Sequence, residues 1–163
     1  MAAERDLRLA EGVRLRESGS AEEARPLLIA LAAELPDDAE VQYQAAWVHD
    51  FLGLEEDAVP YYERALALGL AEPEMEGLVL GLGSTYRNVE RIGDSLALLE
   101  RGVRDYPANH AMRCFLALSR LSNGESGEAL ALAFDVILDT SVDPSIERYW
   151  RALSSYREVL RDA

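Results

Sequence analysis

Apolar residues recur every three or four positions along most of the chain, which is the spacing of a helix with one buried face. The stretch 78–89 shows the pattern well, since Leu78, Val79, Leu82, Tyr86 and Val89 share one helical face. No stretch alternates apolar and polar residues for long enough to predict a strand. The pattern predicts nine helices, at about residues 4–17, 21–34, 39–52, 55–69, 74–89, 93–105, 109–122, 126–139 and 145–161.

Residues with capping chemistry stand ahead of several of these helices. Ser20 with Glu23 has the spacing of a capping box, as does Asp37 with Glu40. Further along, the pair 143–144 combines an aspartate cap with a proline in the first helical turn. The predicted caps and the apolar periodicity therefore indicate the same helix starts.

A small residue recurs at similar intervals, which indicates an internal repeat. Ala58 follows Ala24 by 34 residues, and Ala129 follows Ala58 by 71. Ser95 fills the gap between them, 37 residues after Ala58. A period of about 34 residues is that of a helix–turn–helix repeat.

The register of these units resembles the tetratricopeptide repeat (TPR) family, whose pattern is W-x2-L-G-x2-Y, then A-x3-F, then P. The third unit matches best, with Val79, Leu82, Gly83, Tyr86, Ser95, Leu99 and Pro107. The other units keep Gly12, Ala24, Leu28 and Pro36, then Ala46, Ala58 and Tyr62, then Leu116, Ala117 and Ala129. In the tyrosine position the second unit has His49 and the fourth has Arg120. More narrowly, the chain resembles small bacterial TPR proteins.

The resemblance implies an all-α fold, a right-handed superhelix (α-solenoid) of about four helix–turn–helix units plus a C-terminal capping helix. One domain would cover residues 1–163, with repeats at about 5–38, 39–75, 76–109 and 110–143 and the capping helix at 144–163. A terminal helix needs a polar outer face. We therefore expect the ninth helix to turn one apolar set inward, namely Ile146, Tyr149, Trp150, Leu153, Tyr156 and Leu160.

The segment "GLGSTYRN" at 81–88 has the look of a phosphate-binding loop, but its context excludes that function. A dinucleotide fingerprint needs a preceding strand and a third glycine, and position 86 is Tyr86. A P-loop needs a lysine, and the chain has none. Gly83 instead falls where TPR helices keep a small residue so that paired helices approach closely.

A second set of small residues lies on another face of the same helix. It consists of Gly77, Gly81, Ser84 and Asn88. Glycine inside a helix costs about 1 kcal/mol relative to alanine, so it needs a reason. One interpretation is that the helix is thinned so that another backbone can approach it. The alternative is a tight fit against the fourth helix.

By the resemblance, the first helix of each pair lines a concave groove. The predicted partner-binding residues are Tyr43, Trp47, Asp50, Phe51, Gly77, Leu80, Gly81, Ser84, Arg87, Asn88, Leu118, Leu121 and Arg151, with Leu9, Val13 and Cys114 beside them. Tyr43 and Trp47 are expected to be the apolar anchors, because exposed aromatics mark binding surfaces. Asp50, Arg87 and Asn88 would orient a ligand by hydrogen bonds. The alternative is that the ninth helix folds back and covers these side chains.

Charge narrows the range of partners. The chain has 16 arginines, no lysine and 30 acidic residues, for a net charge of −14. Such a surface repels phosphate backbones and anionic lipid, so we expect no nucleic-acid partner and no membrane partner. The N-terminus lacks an apolar core of signal-peptide length, and the apolar run 24–35 is too short to span a bilayer. The sequence therefore predicts a soluble cytoplasmic protein.

The residues that could carry catalysis are few and scattered. Cys114 is the only cysteine, so no intrachain disulfide forms, and a buried, inert thiol is expected. His49 and His110 lie in different units, and His49 is expected to pack in the core. Acidic runs fall at helix starts, where they favour the helix dipole. We predict no enzyme activity, no cofactor and no metal site.

The sequence thus predicts a protein–protein interaction module or scaffold that binds a peptide or a partner helix in its groove. Two alternatives stay open. One is homodimerisation through the face with Gly77 and Gly81. The other is a small acidic chaperone for an aggregation-prone client protein.

Overall fold

The computed structural model describes residues 2–162, which form nine α-helices and no strand. The helices are α1 (Ala2–Glu17), α2 (Ala21–Glu34), α3 (Ala39–Phe51), α4 (Glu55–Leu68), α5 (Glu74–Asn88), α6 (Ile92–Asp105), α7 (His110–Ser122), α8 (Ser126–Thr140) and α9 (Pro144–Arg161). All nine predicted helices are confirmed, and their ends differ from the predicted ones by about two residues at most.

Three side-chain caps fix helix starts. Asp38 accepts a bond from the Val41 amide at 3.1 Å at the start of α3, so the cap is one residue later than the predicted Asp37. Asp143 caps α9, as predicted, by accepting from the Ser145 amide at 2.8 Å. Asn109 caps α7 in the same way. The capping box expected at position 20 is wrong, because that serine side chain makes no capping bond within the described chain.

The chain divides into two compact units, with the boundary between Val89 and Glu90. The N-terminal unit contains α1–α5, in which consecutive helices pack on each other and α3 also contacts α1 and α5. The C-terminal unit contains α6–α9, in which α7 packs on α6 and α8, and α9 packs on α8. The boundary falls inside the third predicted repeat, 76–109.

The recurrent small residues lie in the cores of both units. Ala24, Ala58 and Ser95 are fully buried, and Ala129 is nearly so. Gly12 of α1 shows how closely the first two helices approach each other. A Cβ placed on Gly12 would lie 2.5 Å from Leu28 Cδ2 in α2. The small residues that recur in the sequence are therefore residues of the buried core.

Helix α9 differs from the expected cap. Tyr149, Trp150 and Tyr156 are 61%, 49% and 67% exposed, and Pro144–Arg161, all of it described, includes no buried residue. The prediction that these aromatics point inward is wrong. Within its unit α9 packs on α8 alone, and one neighbouring helix can cover only one side of it.

Candidate binding surface

Trp47 contacts two other side chains of the N-terminal unit through its ring. On one side its ring stacks on Tyr43, with centroids 5.6 Å apart. The guanidinium carbon of Arg16 lies 3.5 Å from the centroid of the Trp47 ring. Trp47 is 39% exposed, whereas Tyr43 is only 5% exposed. Tyr43 is therefore not the exposed anchor that the sequence predicts. Its buried ring instead packs against the ring of Trp47.

Arg16 is buried, with a side chain only 3% exposed. Its Nε and Nη2 atoms have no hydrogen-bond partner among the described residues. The closest ion-pair contact is with the exposed carboxylate of Glu17, at 3.7 Å. Burial lowers the pKa of Arg16, and the charge of Glu17 opposes that shift. The structure thus gives this charge two favourable contacts, the face of Trp47 and the more distant carboxylate of Glu17.

Sequence reasoning missed Arg16, although a signal was present. Leu9, Val13 and Arg16 follow one another at i, i+4 and i+7, so the arginine continues an apolar face of α1. Leu9 is 4% exposed and belongs to the core, and Val13 is half-buried, so neither is the open groove residue that was expected. An arginine on a buried face indicates that some group of the protein contacts its guanidinium, and here the ring of Trp47 does so.

A second exposed aromatic side chain, Phe51, lies one helical turn beyond Trp47. It stands four residues after Trp47 on α3 and is 60% exposed. Between them lies Asp50, a half-buried carboxylate that accepts a hydrogen bond from the Tyr62 hydroxyl at 3.1 Å. Burial raises the pKa of Asp50, and the Tyr62 bond opposes that shift. Burial also raises the pKa of Tyr62, so it stays a protonated donor.

The two unexplained glycines of α5 make room for these tyrosines. A Cβ placed on Gly77 would lie 2.6 Å from Tyr43 Oη, and one placed on Gly81 would lie 2.7 Å from Tyr62 Oη. Tyrosines of the same chain, rather than another backbone, thus fill the space. For Gly81 the alternative of a tight fit against the fourth helix is confirmed, because Tyr62 belongs to α4.

The remaining predicted residues of α5 are partly accessible. Leu80, Ser84 and Arg87 are half-buried, and Asn88 is exposed. The amide of Asn88 donates to Glu55 Oε1 at 3.4 Å, which is a long bond. In the described residues Arg87 Nε is buried without a hydrogen-bond partner. Ser84, Arg87 and Asn88 thus add polar groups, and Leu80 an apolar one, to the unit that holds Trp47 and Phe51.

The C-terminal unit carries its own apolar surface between α7 and α8. Leu118 and Leu121 are 43% and 55% exposed. With Leu130 and Cys114 they line an open cavity of about 550 Å³. Cys114 is exposed, so the prediction of a buried thiol is wrong. Arg151, the last predicted groove residue, lies exposed on α9.

The two histidines lie in different compact units and have different surroundings. His49 is 3% exposed, its Nδ1 is 2.7 Å from the Ala45 carbonyl oxygen, and its ring stacks on Tyr61. The expected core role of His49 is confirmed. His110 contacts the side chain of Arg113 near the start of α7.

No group of three His, Cys, Asp or Glu side chains among residues 2–162 is arranged to hold a metal ion. Over the same residues, every helix is too short or too polar to cross a membrane.

Comparison with known proteins decides the family. A family model described as Tetratrico peptide repeat matches residues 39–160. The chain belongs to the tetratricopeptide repeat family. The resemblance stated from the third repeat is therefore confirmed, and so is the all-α, TPR-like solenoid class.

Solved structures share the fold of this TPR protein across nearly its whole length. MamA 41-end from Desulfovibrio magneticus RS-1 is 24% identical, with a TM-score of 0.71, covering 97% of this chain and 87% of that one. A putative kinesin light chain of Podosopora anserina, with nearly identical TPR-like repeats, is 18% identical at a TM-score of 0.73, covering 99% and 96%. PilF of Pseudomonas aeruginosa is 17% identical at 0.61, covering 97% and 75%. No curated protein matches the chain.

Proposed function

We propose that this TPR protein is an interaction module that binds a peptide or a helix of a partner protein on its aromatic surface, meaning the exposed rings of Trp47 and Phe51. It acts by binding and not as an enzyme, in the cytoplasm. The observation that carries the proposal is the pair of large aromatic side chains exposed one turn apart on α3. Aromatic residues supply most of the binding energy at many protein interfaces.

Rigidity supports Trp47 as the main anchor. Tyr43 packs against its ring, and Arg16 lies over it. A side chain already held in one place loses little conformational entropy when a ligand binds. Phe51 is more exposed than Trp47 and would supply further apolar contact area to the ligand.

Charge supports a basic partner. Residues 1–89 contain seven arginines against eighteen Asp and Glu residues, an excess of eleven negative charges. A peptide with an apolar anchor flanked by Lys or Arg would complement that field, and nucleic acid would not. In this proposal Asp50 and Arg87 orient the ligand, and Leu80, Ser84 and Asn88 contribute further contacts.

Peptide selection tests the proposal without knowledge of the natural partner. A random peptide library is selected on the immobilised protein, and the affinities of enriched peptides are measured by calorimetry. We expect Phe51→Ala and Trp47→Ala each to weaken binding about tenfold or more. Leu27→Ala is the matched control, since Leu27 is 46% exposed on α2 and should leave affinity unchanged.

Because Phe51 is largely exposed, its truncation should not disturb folding, and circular dichroism checks this. Raising the salt concentration should weaken binding as well, since the charge excess is largely on the surface. Peptides that bind the Trp47→Ala and Phe51→Ala variants as tightly as the wild type would place the binding site elsewhere.

A chaperone role is the second candidate, favoured by the cavity between α7 and α8. Leu118, Leu121 and Leu130 are exposed there, and such apolar surface suits an aggregation-prone client. The test measures light scattering of an unfolding reporter protein. Wild type should suppress the scattering, and Leu121→Glu should lose that effect. Equal suppression by Leu121→Glu, or none by wild type, would exclude the role.

A further inference from the structure

Helix α9 displays a stripe of residues that the described part of the chain, residues 2–162, leaves exposed. Tyr149, Ala152, Tyr156 and Val159 are separated by three, four and three positions, which are the a and d positions of a heptad. All four are exposed, and Val159 is 63% exposed. An exposed apolar stripe with this spacing is typical of a helix that packs against another helix.

The stripe lies beside the face that packs on α8. That packed face is formed by Ile146, Leu153 and Leu160, which are half-buried. In the same heptad pattern these three residues occupy successive e positions, which lie next to the stripe and are not part of it. A second helix could therefore lie along the stripe without displacing α8.

The side-chain sizes along the stripe complement one another when α9 is paired with itself in antiparallel orientation. In that register Tyr156 of one copy lies opposite Ala152 of the second copy, and Tyr149 lies opposite Val159. Large side chains then face small ones, which allows the two helices to interdigitate. A two-fold axis produces each of these pairs twice.

The charges along one edge of the stripe are self-complementary as well. Arg148 and Asp162 occupy g positions, and both are exposed. Neither makes an ion pair within the described residues 2–162. In the antiparallel register Arg148 of one copy lies opposite Asp162 of the other, at both ends of the interface. In a parallel pair g positions face e positions instead, so these two residues would not meet.

We propose that this TPR protein forms a homodimer in which α9 packs antiparallel on α9 of a second copy, through Tyr149, Ala152, Tyr156 and Val159. The inference is independent of the aromatic surface on α3. The stripe covers about one and a half heptads of α9, so the dimer belongs to the small, weak class of interfaces. Its formation should depend on protein concentration.

Sedimentation over a roughly hundredfold concentration range tests the dimer. Wild type should shift from monomer to dimer. Tyr156→Asp, at an exposed position, should weaken association at least about tenfold, because two carboxylates enter the apolar stripe. Arg151→Asp, on the opposite side of α9, is the matched control and should associate like wild type. Circular dichroism should show the same helix content in all variants.

Charge reversal tests the antiparallel register. Arg148→Asp alone and Asp162→Arg alone each place like charges opposite one another and should weaken the dimer about tenfold. The double variant restores both pairs and should recover the wild-type association, which misfolding could not explain. A wild type that stays monomeric at every concentration would overturn the proposal. A dimer indifferent to Tyr156→Asp, or a double variant weaker than both singles, would also overturn it.

Discussion

Arg16 lies over the face of Trp47, with its guanidinium carbon 3.5 Å from the ring centroid. The contact joins α1 to α3 and fixes an aromatic ring that is still partly open to solvent. It also leaves two buried guanidinium nitrogens without a hydrogen bond among the described residues. The contact that holds Trp47 in place therefore lowers the unfolding free energy of this TPR protein, because it buries the charge of Arg16.

The first prediction concerns the effect of the buried Arg16 charge on the unfolding free energy. Arg16→Met keeps an unbranched side chain over Trp47 and removes the buried charge. The unfolding free energy should rise by about 1 kcal/mol, since burying a guanidinium whose Nε and Nη2 lack hydrogen bonds costs more than the cation–π contact and the long ion pair with Glu17 return. Chemical denaturation measures it.

The matched control for Arg16→Met is Arg14→Met. Arg14 is exposed and pairs with Glu11 on the surface, so this change should leave the denaturation midpoint where it is. A clear fall in the stability of Arg16→Met would contradict the interpretation, because it would show that the guanidinium has a stabilising partner.

The second prediction concerns Gly81. Alanine there would place a Cβ 2.7 Å from Tyr62 Oη and 3.1 Å from its Cζ. Gly81→Ala should therefore destabilise the protein by about 1–3 kcal/mol, since overpacking forces the ring of Tyr62 to move. In a Tyr62→Phe background the closest atom is absent, so the same substitution should cost less. Thermal unfolding of the wild type, the two single variants and the double variant measures the coupling.

Gly93 provides the control for Gly81. It lies in the first turn of α6, and a Cβ there would meet no atom within 4 Å. Gly93→Ala should stabilise the protein by up to about 1 kcal/mol through helix propensity alone. If Gly81→Ala were equally stabilising, the tyrosine would not explain the glycine.

The third prediction is a pH dependence at Asp50. Burial raises the pKa of this carboxyl in the folded protein above its ordinary 3.8. Asp50 therefore contributes most to stability below pH 3.8, and that contribution is lost as the pH rises through the raised pKa. Asp50→Asn should make the protein more stable at neutral pH, and the advantage should disappear in acid. Urea denaturation from acid to neutral pH measures it.

Asp38 should behave in the opposite way. The bonds from Arg5 hold the pKa of Asp38 below its ordinary value of 3.8. Its contribution is present above that pH and is lost as the pH falls through the lowered pKa. Asp38→Asn should therefore destabilise the protein at neutral pH, because the ion pair with Arg5 is lost while the amide oxygen can still cap α3. Matching pH profiles for the two variants would contradict the assignment of opposite shifts.

Much of the fold could be predicted from the sequence, because helix period and caps are local. The segment 78–89 shows its buried face in the order of its apolar residues, and the interval from Ala24 to Ala58 shows the repeat. Asp143 followed by Pro144 predicts the start of α9. None of these signals depends on which helix lies next to which.

The orientation of side chains between helices could not be predicted in this way. Whether Tyr43 points to solvent or under Trp47 depends on the room left by Gly77 on α5. Whether Tyr149 and Tyr156 are covered depends on how many helices surround α9. Such facts belong to tertiary packing, and a periodic pattern gives only the apolar face, not its neighbour.

The emission of Trp47 during peptide binding is the most direct test of the proposed aromatic surface. Trp150→Phe leaves Trp47 as the only tryptophan of the protein. Addition of a selected peptide should move its emission to shorter wavelength and saturate at the affinity found by calorimetry, since the ring passes from water into an interface. Emission that stays unchanged while calorimetry shows full binding would contradict the proposal.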